Sequence, residues 1–161
     1  HKRVKGIGLK NWQVLAQDNQ GEGRERSDLD WEIFAPGFFD ALVNMQEYEI
    51  PIYVTENGIS TLNDHQRARY LVSYLKELYH AIKSGVDVRG YYHWSLMDNF
   101  EWDKGYKSRF GLVEVNYDDL SRRLRGSGKL YGRIAQENKI EHKLLRFVGH
   151  AVSPEDILKD L

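Results

Sequence analysis

Ile50-Pro51-Ile52-Tyr53-Val54-Thr55 is a short, nearly continuous apolar run that ends on Glu56-Asn57-Gly58. Runs of this kind form strands buried on both faces of a parallel sheet, and Pro51 fits only at a strand's first residue or on an edge. Downstream, Ala68, Leu71, Val72, Leu75, Leu78, Tyr79 and Ile82 fall on one helical stripe. Asp64 is placed to cap the start of that helix, and Gly85 stands where a left-handed C-terminal residue belongs. Residues 86–96 are apolar again and read as a second strand. Strand, long helix, strand is a βαβ unit, which favours parallel pairing through a right-handed crossover. The fold class expected is α/β.

Outward from this unit the pattern weakens. Phe38, Ala41, Leu42, Met45 and Tyr48 recur at helical spacing, which predicts a helix over residues 37–48. Residues 1–36 carry little periodicity, and Gln17-Asp18-Asn19-Gln20-Gly21-Glu22-Gly23-Arg24-Glu25-Arg26 reads as an exposed loop. Residues 97–108 form a loop rich in aromatic and charged side chains, and 109–115 a short strand. Residues 127–138 make a last helix weakened by Gly128 and Gly132. Ser153-Pro154-Glu155-Asp156 resembles the start of a short terminal helix.

Composition narrows the functions available. In 161 residues, 41% are hydrophobic and 29% charged, a globular balance rather than a disordered one. A formal net charge of -1 supplies no field to hold a polyanion, so nucleic acid is not an expected partner. Arg122-Arg123-Leu124-Arg125 reads as an exposed turn rather than a phosphate patch. There are no cysteines, which removes disulfides and thiolate metal sites from consideration. No apolar run approaches the roughly 18 residues of a membrane-spanning helix. The six histidines lack ligand spacing, Gly6-Ile7-Gly8 lacks the rest of a phosphate-loop fingerprint, and no Gly-x-Ser-x-Gly elbow occurs. No metal or cofactor is expected. The chain has 4 Trp, 10 Tyr and 6 Phe, which serve equally as core or as platforms for sugar rings.

Polar residues collect where both strands end. A carboxylate at the end of a buried strand is costly unless it is paired or at work, and in α/β folds that end of the sheet is where active sites gather. Glu56 is therefore either a structural carboxylate held by an arginine or a catalytic one. The second strand ends in His93-Trp94-Ser95-Leu96 and runs into Asp98-Asn99-Phe100-Glu101-Trp102. Indole faces beside a carboxylate and an amide suit a sugar. Equally, Trp94 fits as core and Glu101 as an exposed surface acid.

Longer words in the sequence carry a resemblance. Ile52-Tyr53-Val54-Thr55-Glu56-Asn57-Gly58 resembles the nucleophile motif of glycoside hydrolase family 1, and residues 90–102, from Gly90-Tyr91-Tyr92-His93-Trp94 to Glu101-Trp102, resemble its second signature. Gly105-Tyr106 and Arg109-Phe110-Gly111-Leu112 follow in family order, with Asp30-Trp31-Glu32-Ile33 upstream and Tyr131 in the final helix. The similarity covers residues 28–138, and its flavour is closest to archaeal and related thermophilic β-glycosidases.

The resemblance implies the C-terminal part of a (β/α)8 TIM barrel, strands 7 and 8 with flanking helices, over residues 1–161. Residues 1–27 would be a lead-in and 139–161 a tail with a short helix. It implies a retaining β-glycosidase acting on β-glucosides or β-galactosides, in which Glu56 attacks the anomeric carbon. Trp94 would underlie the sugar, Glu101 would bind the hydroxyls at C4 and C6, and Trp102 that at C3. Phe110 would line the pocket, with Asn57 in support. Glu101 also argues against a 6-phosphorylated sugar, although Lys107 is near in sequence. The family's Thr-Asn-Glu-Pro acid/base motif does not occur in these residues, and a barrel needs about 250 residues. The expected partners are thus a small β-glycoside and the N-terminal part of the barrel, as another chain or segment. A cytoplasmic location is expected. Asp30 stands where the family commonly has Gly, and Ala35-Pro36-Gly37 replaces Pro-Glu-Gly. The alternative is a non-catalytic sugar-binding or structural fragment of a family 1 glycosidase.

Overall fold

Residues 24–145 and Val148 are described by a computed structural model. Most of the lead-in, Gly6-Ile7-Gly8 and the helix start expected at Ser153 lie outside the described residues. Near the start, the chain turns tightly at Ser27, whose amide donates to the Trp31 carbonyl at 2.9 Å. Asp30 sits in this turn at φ 61°. That left-handed conformation explains why a glycine suits the position.

Helix α1 (Ala35–Met45) carries Pro36 in its first turn, where the missing N–H is not needed. It begins two residues before the expected start and passes into a 3-10 turn over Gln46–Tyr48. Then come β1 (Ile52–Asn57), α2 (Asp64–Lys83) and β2 (Val88–His93), and the two strands pair in parallel as expected. The α2 stripe is buried at Ala68, Leu71, Val72 and Leu75, but Tyr79 is 54% exposed and Ile82 42%. At 100° per residue the inward face passes through Leu78 to the small, fully buried Ala81 instead. Ala81 packs with Leu42, Val86, Ile52, Val54 and Val88.

The cap of α2 differs from expectation. Asn63, not Asp64, is the capping residue; its Oδ1 accepts from the His65 and Gln66 amides at 3.0 and 3.3 Å. Asp64 is drawn away by Arg67, 2.7 Å from its Oδ1, and by the Ser127 amide, 3.0 Å from its Oδ2. Gly85 does adopt the left-handed conformation, at φ 97°.

The expectation of a strand buried on both faces also needs correction. Ile52 and Val54 are half-buried against α1 and α2, while Tyr53 and Thr55 are exposed. Among the described residues, helices cover one face of this sheet, so every second side chain meets solvent.

Beyond β2, β3 (Val113–Val115) pairs antiparallel with β4 (Arg122–Leu124). The arginine run read as a turn is therefore a strand, with Arg123 ion-paired to Glu114 across the ladder. Helix α3 (Gly126–Glu137) follows, then the short α4 (His142–Leu145). Gly128 is a requirement of packing rather than a weakness: a Cβ there would lie 2.9 Å from the Leu112 carbonyl oxygen. Leu130, Ile134 and Leu144 close a second core against Ala68, Val72 and Leu75 of α2.

Candidate active site

The end of β1 is built around an irregularity. Val54 pairs with Tyr91 and Asn57 with His93, so three steps along β1 match two along β2. The surplus residue is a β-bulge, a device that re-aims side chains. Strict alternation would send residue 56 to the helix side with Ile52 and Val54. Instead Asn57 takes that side, where its Oδ1 accepts from the Tyr91 hydroxyl at 2.8 Å. Glu56 joins Tyr53 and Thr55 among the exposed residues of the strand. The burial cost expected of Glu56 therefore does not arise in this chain. Among the described residues no arginine holds it.

The ends of β1 and β2 are clasped together. The Trp94 amide donates to the Asn57 carbonyl at 3.1 Å. Gly58 fits so closely that a Cβ on it would lie 1.6 Å from the Trp94 carbonyl oxygen. Glu56 and Trp94 thus stand at neighbouring strand ends. Trp94 is 36% exposed, so it is not core. Its indole Nε1 donates to Glu101 Oε1 at 3.2 Å, which joins the indole and the carboxylate in one unit. Glu101 opens a tight loop in which its amide donates to the Gly105 carbonyl at 2.8 Å. Trp102, at φ 48°, is 83% exposed and makes no comparable contact with Trp94 among the described residues. Phe110 is buried, its ring 6.0 Å from that of Trp31; it is Trp31 that offers the exposed aromatic surface. Beside the loop, Asp28, Ser60, Asp103, Lys104 and Lys107 line a cleft of about 450 Å³.

Behind these residues lies a polar layer that sequence reading did not assign. Asp98 is 3% exposed. It accepts from the Gly111 amide at 2.9 Å, the Val115 amide at 3.3 Å, Arg125 at 2.9 and 3.0 Å and Arg109 at 3.3 Å. Burial pushes its carboxyl upward, but the Arg125 and backbone hydrogen bonds outweigh this and hold it below the usual carboxylate value. Arg67, fully buried, donates to Asp64 and to the Thr61 and Arg109 carbonyls. His93 turns to the helix side with its ring 6.2 Å from Tyr131. Burial, and then the Arg67 charge, lower it to about 4. The available signal was an aspartate amid an apolar and aromatic loop, with arginines further on. Among the described residues no group of three or more His, Cys, Asp or Glu is arranged to hold a metal ion, and no helix is long and apolar enough to cross a membrane.

Parallel strands joined by a helix define an α/β protein, and the polar side chains at their carboxyl ends make that edge of the sheet its candidate site. Residues 7–140 match the model of glycosyl hydrolase family 1. The chain is 46% identical over 121 residues to the β-galactosidase of Sulfolobus acidocaldarius, covering 73% of this chain and 24% of that protein. To β-glucosidase A of Acetivibrio thermocellus it is 38% identical over 125 residues, covering 71% and 28%. Its structure is similar to that of a hyperthermophilic β-glucosidase from Pyrococcus furiosus, with TM-score 0.77 and 43% identity over 80% of this chain and 27% of that one. The chain belongs to glycosyl hydrolase family 1. It spans about a quarter of the length of the curated relatives it matches.

Proposed function

We propose that this chain forms strands 7 and 8 of a (β/α)8 barrel that hydrolyses β-glucosides or β-galactosides with retention. Strand 7 is β1 and strand 8 is β2. The Glu56 carboxylate attacks the anomeric carbon of a sugar lying on Trp94 and displaces the aglycone, leaving a glycosyl-enzyme that water then hydrolyses. Glu101 binds the hydroxyls at C4 and C6, and Trp102 that at C3. The observation that carries this reading is the clasp of strand ends, with the Trp94 amide on the Asn57 carbonyl and the Trp94 indole on Glu101. It supports a nucleophile, a platform and a hydroxyl acceptor within reach of one pyranose. Retention needs a second carboxyl about 5 Å from the first, and this acid/base comes from a part of the barrel other than these residues. The same part would cover the exposed face around Tyr53 and Tyr92.

The test is trapping with a 2-deoxy-2-fluoro glycoside in the completed barrel. A peptide mass shift on Glu56 is expected. Labelling of another residue refutes the assignment. Absence of labelling in a folded, complete barrel favours the second reading, a non-catalytic sugar-binding fragment. That reading draws on the missing acid/base motif.

A further inference from the structure

We infer that Asp98 is a positioning residue: through Arg109 and Arg125 it sets the Trp94–Glu101 pair to receive a sugar. The inference rests on the sugar-binding reading of that pair. Asp98 lies four residues after Trp94 and three before Glu101. Upstream, the chain is already stitched down: the Leu112 amide donates to the Ser95 carbonyl at 2.9 Å, and the Val113 amide to the Leu96 carbonyl at 2.9 Å. Downstream, the Asn99 side-chain amide donates to Ser95 Oγ at 3.1 Å and to the Met97 carbonyl at 3.3 Å, and the buried Asp98 carboxylate is the last charged anchor before Glu101.

The fixing is directional. Both carboxylate oxygens are used, and the partners come from three segments: Arg109 and Gly111 before β3, Val115 within it, and Arg125 at the start of α3. Arg125 also donates to the Gly111 carbonyl at 2.5 Å, and Arg109 to the Val115 carbonyl at 2.9 Å. Each guanidinium is therefore held independently of Asp98 and cannot simply follow it. The Arg109 guanidinium further lies 4.6 Å from the centre of the Tyr117 ring. Tyr117 packs on Tyr106, and Tyr106 on Phe100, at 4.5 and 5.4 Å. Arg109 thus touches the loop at both ends, through Asp98 on one side and the aromatic chain on the other. A carboxylate anchored this rigidly fixes the direction in which Glu101 projects, and with it the indole hydrogen bond.

The test is made on the 161-residue chain alone and needs no sugar. In ¹⁵N spectra the Trp94 indole N–H signal is identified by its loss in Trp94→Phe, and Glu101→Ala marks its position when the hydrogen bond is broken. Asp98→Asn, which keeps shape and removes charge, is expected to move the Trp94 signal toward the Glu101→Ala position, with the Trp31 signal unchanged. Arg109→Gln keeps the Arg125 pair, is the gentler change, and is expected to move the signal part of the way. A merely structural Asp98 would lower the melting temperature and leave the Trp94 signal in place. An unmoved signal in either folded variant overturns the inference. Should Asp98→Asn not fold, the Arg109→Gln result decides. Glycoside cleavage by the completed barrel is a separate readout. If Trp94→Phe and Glu101→Ala cleave normally there, the sugar-binding reading fails while the indole result stands.

Discussion

Acidification offers a direct test of the packing behind the site, because the half-buried His93 is held there as a neutral ring. Both its nitrogens are shielded and, among the described residues, unpartnered, and burial with the nearby Arg67 charge lowers it from 6.5 to about 4. The unfolded chain therefore binds the proton first. The stability His93 contributes is whole above about pH 6.5 and is lost as pH falls through 6.5 toward 4. At about 1.4 kcal/mol per pH unit, the loss over that interval is on the order of 3 kcal/mol. For a chain of this size it corresponds to a fall of about 6–12 °C in melting temperature. Asp64 and Asp98 do not confuse the window. Hydrogen bonds from Ser127, Arg67 and Arg125 hold both carboxyls below 3.8 despite their burial, so their stabilisation is present above that value and fails only at lower pH. Urea unfolding is measured from about pH 7.5 to about pH 4 on the native chain and on His93→Phe, which keeps a ring against Tyr131 and removes the titration. The native chain should lose stability across the window and the variant should lose about 3 kcal/mol less. Equal slopes, or a His93 ring proton that titrates near 6.5, would refute the reasoning.

Three further outcomes can be checked by the same unfolding measurements. Gly58→Ala places a Cβ 1.6 Å from the Trp94 carbonyl oxygen, so backbone must move. A loss of about 3 kcal/mol or more, with altered Trp fluorescence, is expected, and a neutral result would contradict the clasp of strand ends. Asp30→Gly relieves the left-handed residue at φ 61° and should raise stability by about 0.5–1 kcal/mol. The exposed Arg26 ion pair it removes offsets little of that. Leu130→Ala empties the centre of the α2–α3 core, where Leu130 is fully buried, and should cost about 3–5 kcal/mol. A loss under about 1 kcal/mol would mean that this core is not packed as described.

Local patterns survived translation into structure, and distant ones did not. The α2 stripe and the parallel strands were legible because periodicity and end signals act within a few residues. Asn63 and Asp64 are both good caps, and the choice between them is made by Ser127, 63 residues away. β4 was hidden because all three of its residues are exposed, so its sequence carries the charge of a turn. Glu56, Trp94 and Glu101 were singled out by the company they keep in sequence. The place of Asp98 was not, since the arginine it needs lies 27 residues on. Nothing in the composition of residues 54–57 announces a bulge.

That surplus residue decides which wall of the sheet a side chain serves. Without it, residues following Val54 would pair in strict step with β2, placing Glu56 opposite His93. The carboxylate would then turn toward the hydrocarbon of α1 and α2 while every neighbour kept its chemistry. Over evolutionary time this strand end should accept exchanged letters far more readily than a changed letter count.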